Sequence, residues 1–308
     1  MDKKFKILKY TEKYEKDLTK LYFESYSRKK PQKYFHYRLK KNNLGSSIAY
    51  IMKFESKIVG FYALTPISLL INNQKYLGGY SFLTMTHRKF SGQGIFSELA
   101  SKAFQKAKEK KYNFIVGFAN NTSFPLFINK FGFTELKSIN YLKINLTELV
   151  KNTSFKFTQN ISKNIKKILL SDVNKNNFSV YLEKNISYFD YRFNQHPLNK
   201  YYIFESNDLL FIFKKYKNEL QILEFFGQNE ANTYSKLLLV GNNLSKKLKC
   251  DYISLWIPKK HSLNQSMSLT QNLSPHSFFI VKSLNPKIKN QISNINNWYY
   301  SMSDADVF

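Results

Sequence analysis

Apolar and polar residues alternate from Phe5 to Tyr10, a period of two that predicts a short strand. Thr11 then stands as an N-cap for a helix carrying Leu18, Leu21, Tyr22 and Tyr26 on one face, and Pro31 marks the start of a second helix. Strands follow over Ile48 to Phe54, Ile58 to Leu64 and Ile67 to Ile71. Asn72-Asn73 is a hairpin turn, and Tyr76 to Thr86 a long strand broken at Gly78-Gly79. From Gly94 the period lengthens: Ile95, Leu99, Ala103, Phe104 and Ala107 share a helical face, and lysines near its end suit the negative pole of the helix dipole. Tyr112 to Ala119 is a continuous apolar run of buried-strand type, Thr122 to Phe131 a short amphipathic helix with Gly132 as its C-cap, and Phe133 to Leu146 one or two strands.

Past Thr147 the pattern fades into a basic stretch with Lys163, Lys166, Lys167 and Lys175, and it resumes near Phe178. Strands are predicted at Tyr201 to Phe204, Leu209 to Lys214, Leu220 to Phe226 and Tyr252 to Ile257, with a helix near Thr233 to Lys247. The reading is an α/β chain with mixed sheets: a first domain at 1–147, a basic connector at 148–178 and a second domain at 179–308. A chain of 308 residues suits two domains of ~150 residues.

Composition narrows the classes. Hydrophobic residues at 43% exclude a chain disordered throughout. The net charge of +27 favours anionic partners, although the abundance of Asn, Ile, Phe and Tyr offers AT-rich coding bias as an equal explanation. Cys250 is the only cysteine, which rules out an intrachain disulfide and four-cysteine zinc sites and points to a reducing compartment. No metal site is expected. The basic start, Met1 to Lys6, is not followed by the apolar run of a signal peptide, and no segment reaches the ~20 apolar residues of a membrane helix. A cytoplasmic protein is expected.

Chemistry concentrates where a strand turns into a helix, at His87-Arg88-Lys89-Phe90-Ser91-Gly92-Gln93-Gly94-Ile95-Phe96. Two glycines let the backbone come close to a ligand, and the first helical turn offers unpaired amides and the positive dipole end. Such a corner suits a pyrophosphate; it also suits a plain tight turn.

The order of strand, glycine turn, helix, buried strand, then Asn120-Asn121 and Phe124 to Phe133, resembles the GCN5-related N-acetyltransferase (GNAT) superfamily. Gly94 matches the central glycine of that family's turn, while Ser91 replaces its Arg or Gln and Phe96 its final small residue. The resemblance implies an acetyl-CoA site in which Ser91, Gly92, Gln93, Gly94, Ile95 and Phe96 surround the diphosphate. The strand edge at Thr84, Met85 and Thr86 would pair with the pantetheine arm, a splay before Tyr112 to Ala119 would admit the thioester, and Asn121 would contact the arm. Asn121 is equally an ordinary N-cap. The family's usual tyrosine acid falls on Ile128, which cannot donate a proton. His87, at the end of a strand without carboxylates, is a candidate base.

Tyr188 to Phe193, His196-Pro197, Trp298-Tyr299-Tyr300 and Asp304 to Phe308 look like bacterial two-lobed acetyltransferases, some tied to surface-polysaccharide synthesis. The second lobe then reads as a degenerate GNAT-like copy shaping the acceptor cleft, and no second glycine turn follows residue 150. Arg192 is a candidate clamp for a carboxylate or phosphate, Tyr191 and Trp298 for stacking on a sugar, and Asp304 or Asp306 for taking the proton of an attacking amine. Core packing for the aromatics and a solvated tail for the aspartates are the competing readings. The expected function is transfer from acetyl-CoA to a small amine, including a nucleotide-linked amino sugar, by direct attack. The alternatives are an aminoacyl-tRNA-dependent transferase of the peptidoglycan type and a non-catalytic protein binding nucleic acid or an anionic surface.

Overall fold

The computed structural model describes residues 5–136, 139–146, 154–162, 165, 169, 177–266, 270–272 and 277–305. Two compact units divide the chain: Met1–Ser68, Tyr76–Thr134 and Ile280–Lys289 form the first, and Leu69–Lys75, Glu135–Phe279 and Asn290–Phe308 the second. This cut differs from a linear division at 147 and 178, because each sheet takes a strand from across that division: Phe278–Ser283 joins the first and Tyr141–Asn145 the second. The basic connector, with Lys163, Lys166, Lys167 and Lys175, lies largely outside the described residues.

In the first unit, β1 (Phe5–Lys9) pairs antiparallel with β2 (Ile48–Phe54), after helices α1 (Glu15–Tyr26) and α2 (Gln32–Lys40). Thr11 makes no side-chain cap; a 3-10 turn, Glu12–Tyr14, leads into α1 instead. The two strands expected around Pro66 are one, β3 (Lys57–Ile71). Up to Leu64 it pairs with β2, and beyond the proline Leu69–Ile71 pair with β8 (Val180–Leu182), a pair that lies wholly in the second unit. Proline, lacking a donor, thus sits where the strand changes neighbour. Asn72 and Asn73 take φ of 49° and 61°, the left-handed pair of a two-residue hairpin turn.

β4 (Gln74–Thr86) is also unbroken. A Cβ at Gly78 would stand 2.5 Å from the Phe114 ring, so the glycine makes room for a neighbouring strand. Helix α3 (Ile95–Glu109) buries Ile95, Leu99, Ala100, Ala103, Phe104 and Ala107, the face read from the sequence, and leads to β5 (Phe114–Ala119). The helix expected over Thr122 to Phe131 is present from Phe124, with its Leu126–Lys130 part wound as a π-helix, and is closed by Gly132 at φ 62°. The first sheet runs β1-β2-β3-β4-β5-β14-β6, with β6 Thr134–Glu135 and β14 Phe278–Ser283.

The second sheet runs β13-β7-β12-β11-β10-β9. Its hairpin is β10 (Leu209–Tyr216) with β11 (Glu219–Gly227), flanked by β9 (Tyr202–Glu205). After a short helix α4 (Ile186–Phe189) the long helix of this unit is α5 (Glu230–Leu248), joining β11 to the parallel strand β12 (Tyr252–Trp256). β7 (Tyr141–Asn145), expected to close the first domain, pairs with β12 and with β13 (Thr270–Asn272). Leu237, Val240 and Leu244 of α5 pack over Phe211, Phe213 and Ile253 as the core. Both units therefore repeat one motif: hairpin, crossover helix, parallel strand.

Candidate active site

Between β4 and α3 the chain makes a 3-10 turn, Arg88–Phe90, and then runs through Ser91-Gly92-Gln93-Gly94. Gly92 and Gly94 hold φ of 78° and 77°. That left-handed region costs an L side chain about 1–2 kcal/mol, so the path itself calls for glycine. No atom lies within 4 Å of a Cβ placed on either, and the corner faces open space. α3 begins without a side-chain cap, Gly94 giving only its carbonyl, to Glu98 N at 3.0 Å. Among the described residues nothing accepts a hydrogen bond from the amides of Gly92, Gln93, Gly94, Ile95 or Phe96; the Ser91 amide is taken by the Arg88 carbonyl at 3.2 Å. Five free donors at the positive end of a 15-residue helix form an anion cradle.

Beside it the sheet opens. β4 and β5 pair in parallel only at Gly79–Ile115 and Tyr80–Val116, although β4 continues to Thr86 and β5 to Ala119. Leu83 carries φ 47°, uncommon for a branched residue in mid-strand, so the peptide groups beside it leave the regular strand direction. At the vertex of the wedge Tyr62 and Ser81 hydroxyls bond at 2.8 Å, and burial pushes the Tyr62 phenol up. A Cβ on Gly117 would stand 3.0 Å from the Ser81 Cβ, so the strands still touch there.

The exposed stretch of β4 is partly engaged. Tyr26 hydroxyl donates to the Thr84 carbonyl and Ser25 Oγ to the Thr86 carbonyl at 3.1 Å, two contacts from α1 that the sequence did not signal. Met85 is buried to 1%, so only its backbone is within reach of a ligand. Phe96 packs tilted against Tyr62 and edge-to-face against Phe127 and Phe131, at ring separations of 5.7, 5.3 and 5.8 Å, which turns its side chain inward and leaves its amide at the corner. That resolves the apparent misfit of a large residue in place of a small one. The capping role falls to Asn120, whose Oδ1 accepts Thr122 and Ser123 amides at 3.1 and 2.9 Å. Asn121 is exposed, with its side chain uncommitted among the described residues.

Other expected site residues have structural employment. His87 is buried to 6%; its Nδ1 accepts the Lys89 amide at 3.1 Å, and its Nε2 lies 2.9 Å from Lys57 Nζ and 3.4 Å from Glu24, so neither ring nitrogen is presented as a base. Arg192, 4% exposed, directs its fork at the Ser303 carbonyl, the Tyr201 hydroxyl and the Ala305 carbonyl at 3.3, 3.0 and 3.1 Å, tying down the end of the chain instead of clamping an acceptor. Tyr191 is buried, and Trp298 is core, with Nε1 bonded to the Ile292 carbonyl at 2.9 Å. Asp304 is no solvated tail: Oδ1 lies 2.7 Å from Lys184 Nζ, which also meets Glu224, and Oδ2 accepts the Ser301 amide in a capping box. Burial raises the Asp304 carboxyl against the opposing pull of Lys184. Burial alone would lower Lys184, but Asp304 and Glu224 outweigh it and its pKa rises. Asp306 lies outside the described residues.

Residues 6–136 match the family model described as Acetyltransferase (GNAT) domain. No curated protein matches the chain. Among solved structures it is similar to a protein of Enterococcus faecalis described as a probable N-acyltransferase, at 13% identity and TM-score 0.68, over 91% of this chain and 73% of that one. A GCN5-related N-acetyltransferase from Anabaena variabilis gives 12%, 0.68, 92% and 73%. Saccharomyces cerevisiae N-myristoyltransferase with bound myristoyl-CoA gives 10%, 0.62, 91% and 82%. At such identities these likenesses establish a shared fold.

Proposed function

We infer that this chain, whose residues 6–136 match the acetyltransferase (GNAT) domain family, is an acyl-CoA-dependent N-acyltransferase that uses acetyl-CoA as its donor. The observation that carries the reading is the open corner with unpaired amides at Gly92 to Phe96. A diphosphate there receives main-chain hydrogen bonds together with the helix dipole, without competition from the protein's own carbonyls. The coenzyme supplies an activated thioester, and the chain's residues position it.

With the carbonyls of Thr84 and Thr86 held by α1, the arm's carbonyls are left to meet the amides of the β4 edge, while Asn121 reaches the arm from the other side. The wedge between β4 and β5 takes the thioester. Its vertex, closed by Tyr62, Ser81 and Gly117, supports a short acyl group over a long one. The acceptor amine attacks the thioester carbonyl carbon, the new C–N bond forms as C–S breaks, and the sulfur leaves as thiolate. With aliphatic Ile128 at the acid position and His87 and Asp304 engaged, the amine's proton leaves to water and water protonates the thiolate. Catalysis then rests on positioning and on polarisation of the carbonyl, for which the peptide group redirected at Leu83 is the candidate. The acceptor is a small polar amine, and an amino sugar or nucleotide-linked amino sugar is our choice of class, supported by the resemblance of the second half to bacterial two-lobed acetyltransferases, some of them tied to surface-polysaccharide synthesis. A cytoplasmic setting is in keeping with the lone, buried Cys250.

Thiol release from acetyl-CoA, measured against amino sugars, nucleotide-linked amino sugars, polyamines and peptides, tests the reading. Saturable release with an amino sugar is expected. Activity that depends on charged tRNA, or none with any amine, would overturn it.

A further inference from the structure

We propose that the first unit carries a second anion site, for a small soluble polyphosphate, at the end of α3 away from the glycine corner. A groove of about 950 Å³ opens between the second half of α3, the turn after β1, the end of α2 and the start of β2. That volume lies within the ~300–1,000 Å³ of small-molecule sites. Six lysines line it: Lys9, Lys13, Lys40, Lys102, Lys106 and Lys110. Its two carboxylates are already matched, Glu12 to Lys40 at 3.0 Å and Glu109 to Lys106 at 2.7 Å. The remaining four, Lys9, Lys13, Lys102 and Lys110, have no carboxylate partner among the described residues, and Lys13 rests over the Tyr14 ring at 5.1 Å.

Lys102 and Lys106 of α3 and Lys110, its C-cap, recur every four residues, so they follow one side of the helix about 6 Å apart along its axis. At ~1.5 Å per residue they lie about 10, 17 and 22 Å beyond Ile95, too far along the helix to serve the glycine corner. Four uncompensated cations in one concave surface raise each other's field at the same place, and the floor of Leu39, Ile48 and Ala49 is buried and apolar, which strengthens that field. A single phosphate would neutralise a fraction of this charge; a linear polyphosphate of three units carries enough charge to meet all four lysines, whose flexible stems close the remaining distance. The negative end of the α3 dipole opposes an anion, but it amounts to roughly half a charge against four.

Calorimetric titration of the full chain with inorganic tripolyphosphate tests the site, using the parent, the Lys102→Gln/Lys110→Gln double variant and Gly94→Val. Expected is a saturable phase in the parent, distinct from any binding at the glycine corner, that weakens at least tenfold in the double variant and persists in Gly94→Val. Absence of saturable binding, equal affinity in the double variant, or loss in Gly94→Val instead would overturn the proposal. So would binding confined to single-stranded RNA or to anionic phospholipid vesicles in parallel titrations.

Discussion

The two crossover helices start in opposite ways. α3 follows a loop with two left-handed glycines and presents free amides to open space. α5 follows β11 almost at once and seals itself. Asn229 Oδ1 accepts the Asn232 amide at 3.0 Å, Thr233 Oγ1 donates to the Asn229 carbonyl at 2.6 Å, and a Cβ on Gly227 would fall 1.9 Å from Thr233 Oγ1. The strand pairs differ in the same sense: β11 and β12 match over four positions, Glu219–Tyr252 to Ile222–Leu255, whereas β4 and β5 match over two. One motif thus appears twice, once with the head of its helix open and once with it sealed. The lesson is that a glycine's role is read from what surrounds its missing Cβ: open space at Gly94, a packed helix at Gly227.

Four experiments probe this contrast. The largest effect belongs to the sealed unit. His261 is enclosed by Phe178, Phe225, Tyr234 and Tyr299, and burial lowers its pKa from 6.5 to about 4. Its stabilisation is complete above pH 6.5, where both states are neutral, and fades as the unfolded chain gains a proton that the folded one refuses. Stability should fall by about 3 kcal/mol between pH 6.5 and 4. Urea midpoints across that range should show the slope in the parent and a flatter one in His261→Gln. Next, Gly94→Val combines backbone strain with a side chain in the corner. CoA affinity should drop at least 100-fold, about 2.7 kcal/mol, while far-ultraviolet dichroism stays that of the parent. Gly227→Ala should do the reverse, costing about 2 kcal/mol of stability by overpacking against Thr233 and leaving CoA affinity intact below the unfolding transition. Smallest is the asparagine pair: Asn120→Ala should cost about 1 kcal/mol of stability as a lost cap, and Asn121→Ala should weaken CoA a few-fold without moving the urea midpoint.

Much of the first unit was legible because its signals are local. The face of α3, the Asn72-Asn73 hairpin and the glycine corner each follow from spacing within a dozen residues. What escaped depends on partners distant in sequence. Nothing near Tyr141–Asn145 says that β7 joins β12, or that Phe278–Ser283 supplies β14 to the first sheet. Pro66 reads as a break until its strand is seen to change neighbour. Burial misled most in the second half: Arg192, Tyr191, Trp298 and Asp304 have the chemistry of a recognition site, and their partners at Ser303, Ala305, Ile292 and Lys184 turn them inward. Asn120 and Asn121 show the limit of local reading, since adjacent identical residues are told apart only by which side chain turns back to the backbone.

The most direct test follows backbone amide resonances of the full chain through a titration with coenzyme A. The account predicts that Gly92, Gln93, Gly94, Ile95 and Phe96 shift together and saturate at one equivalent, while Asn229 to Asn232 at the head of α5 stay still. Shifts at α5, or saturation that leaves the Gly92–Phe96 amides unmoved, would contradict it.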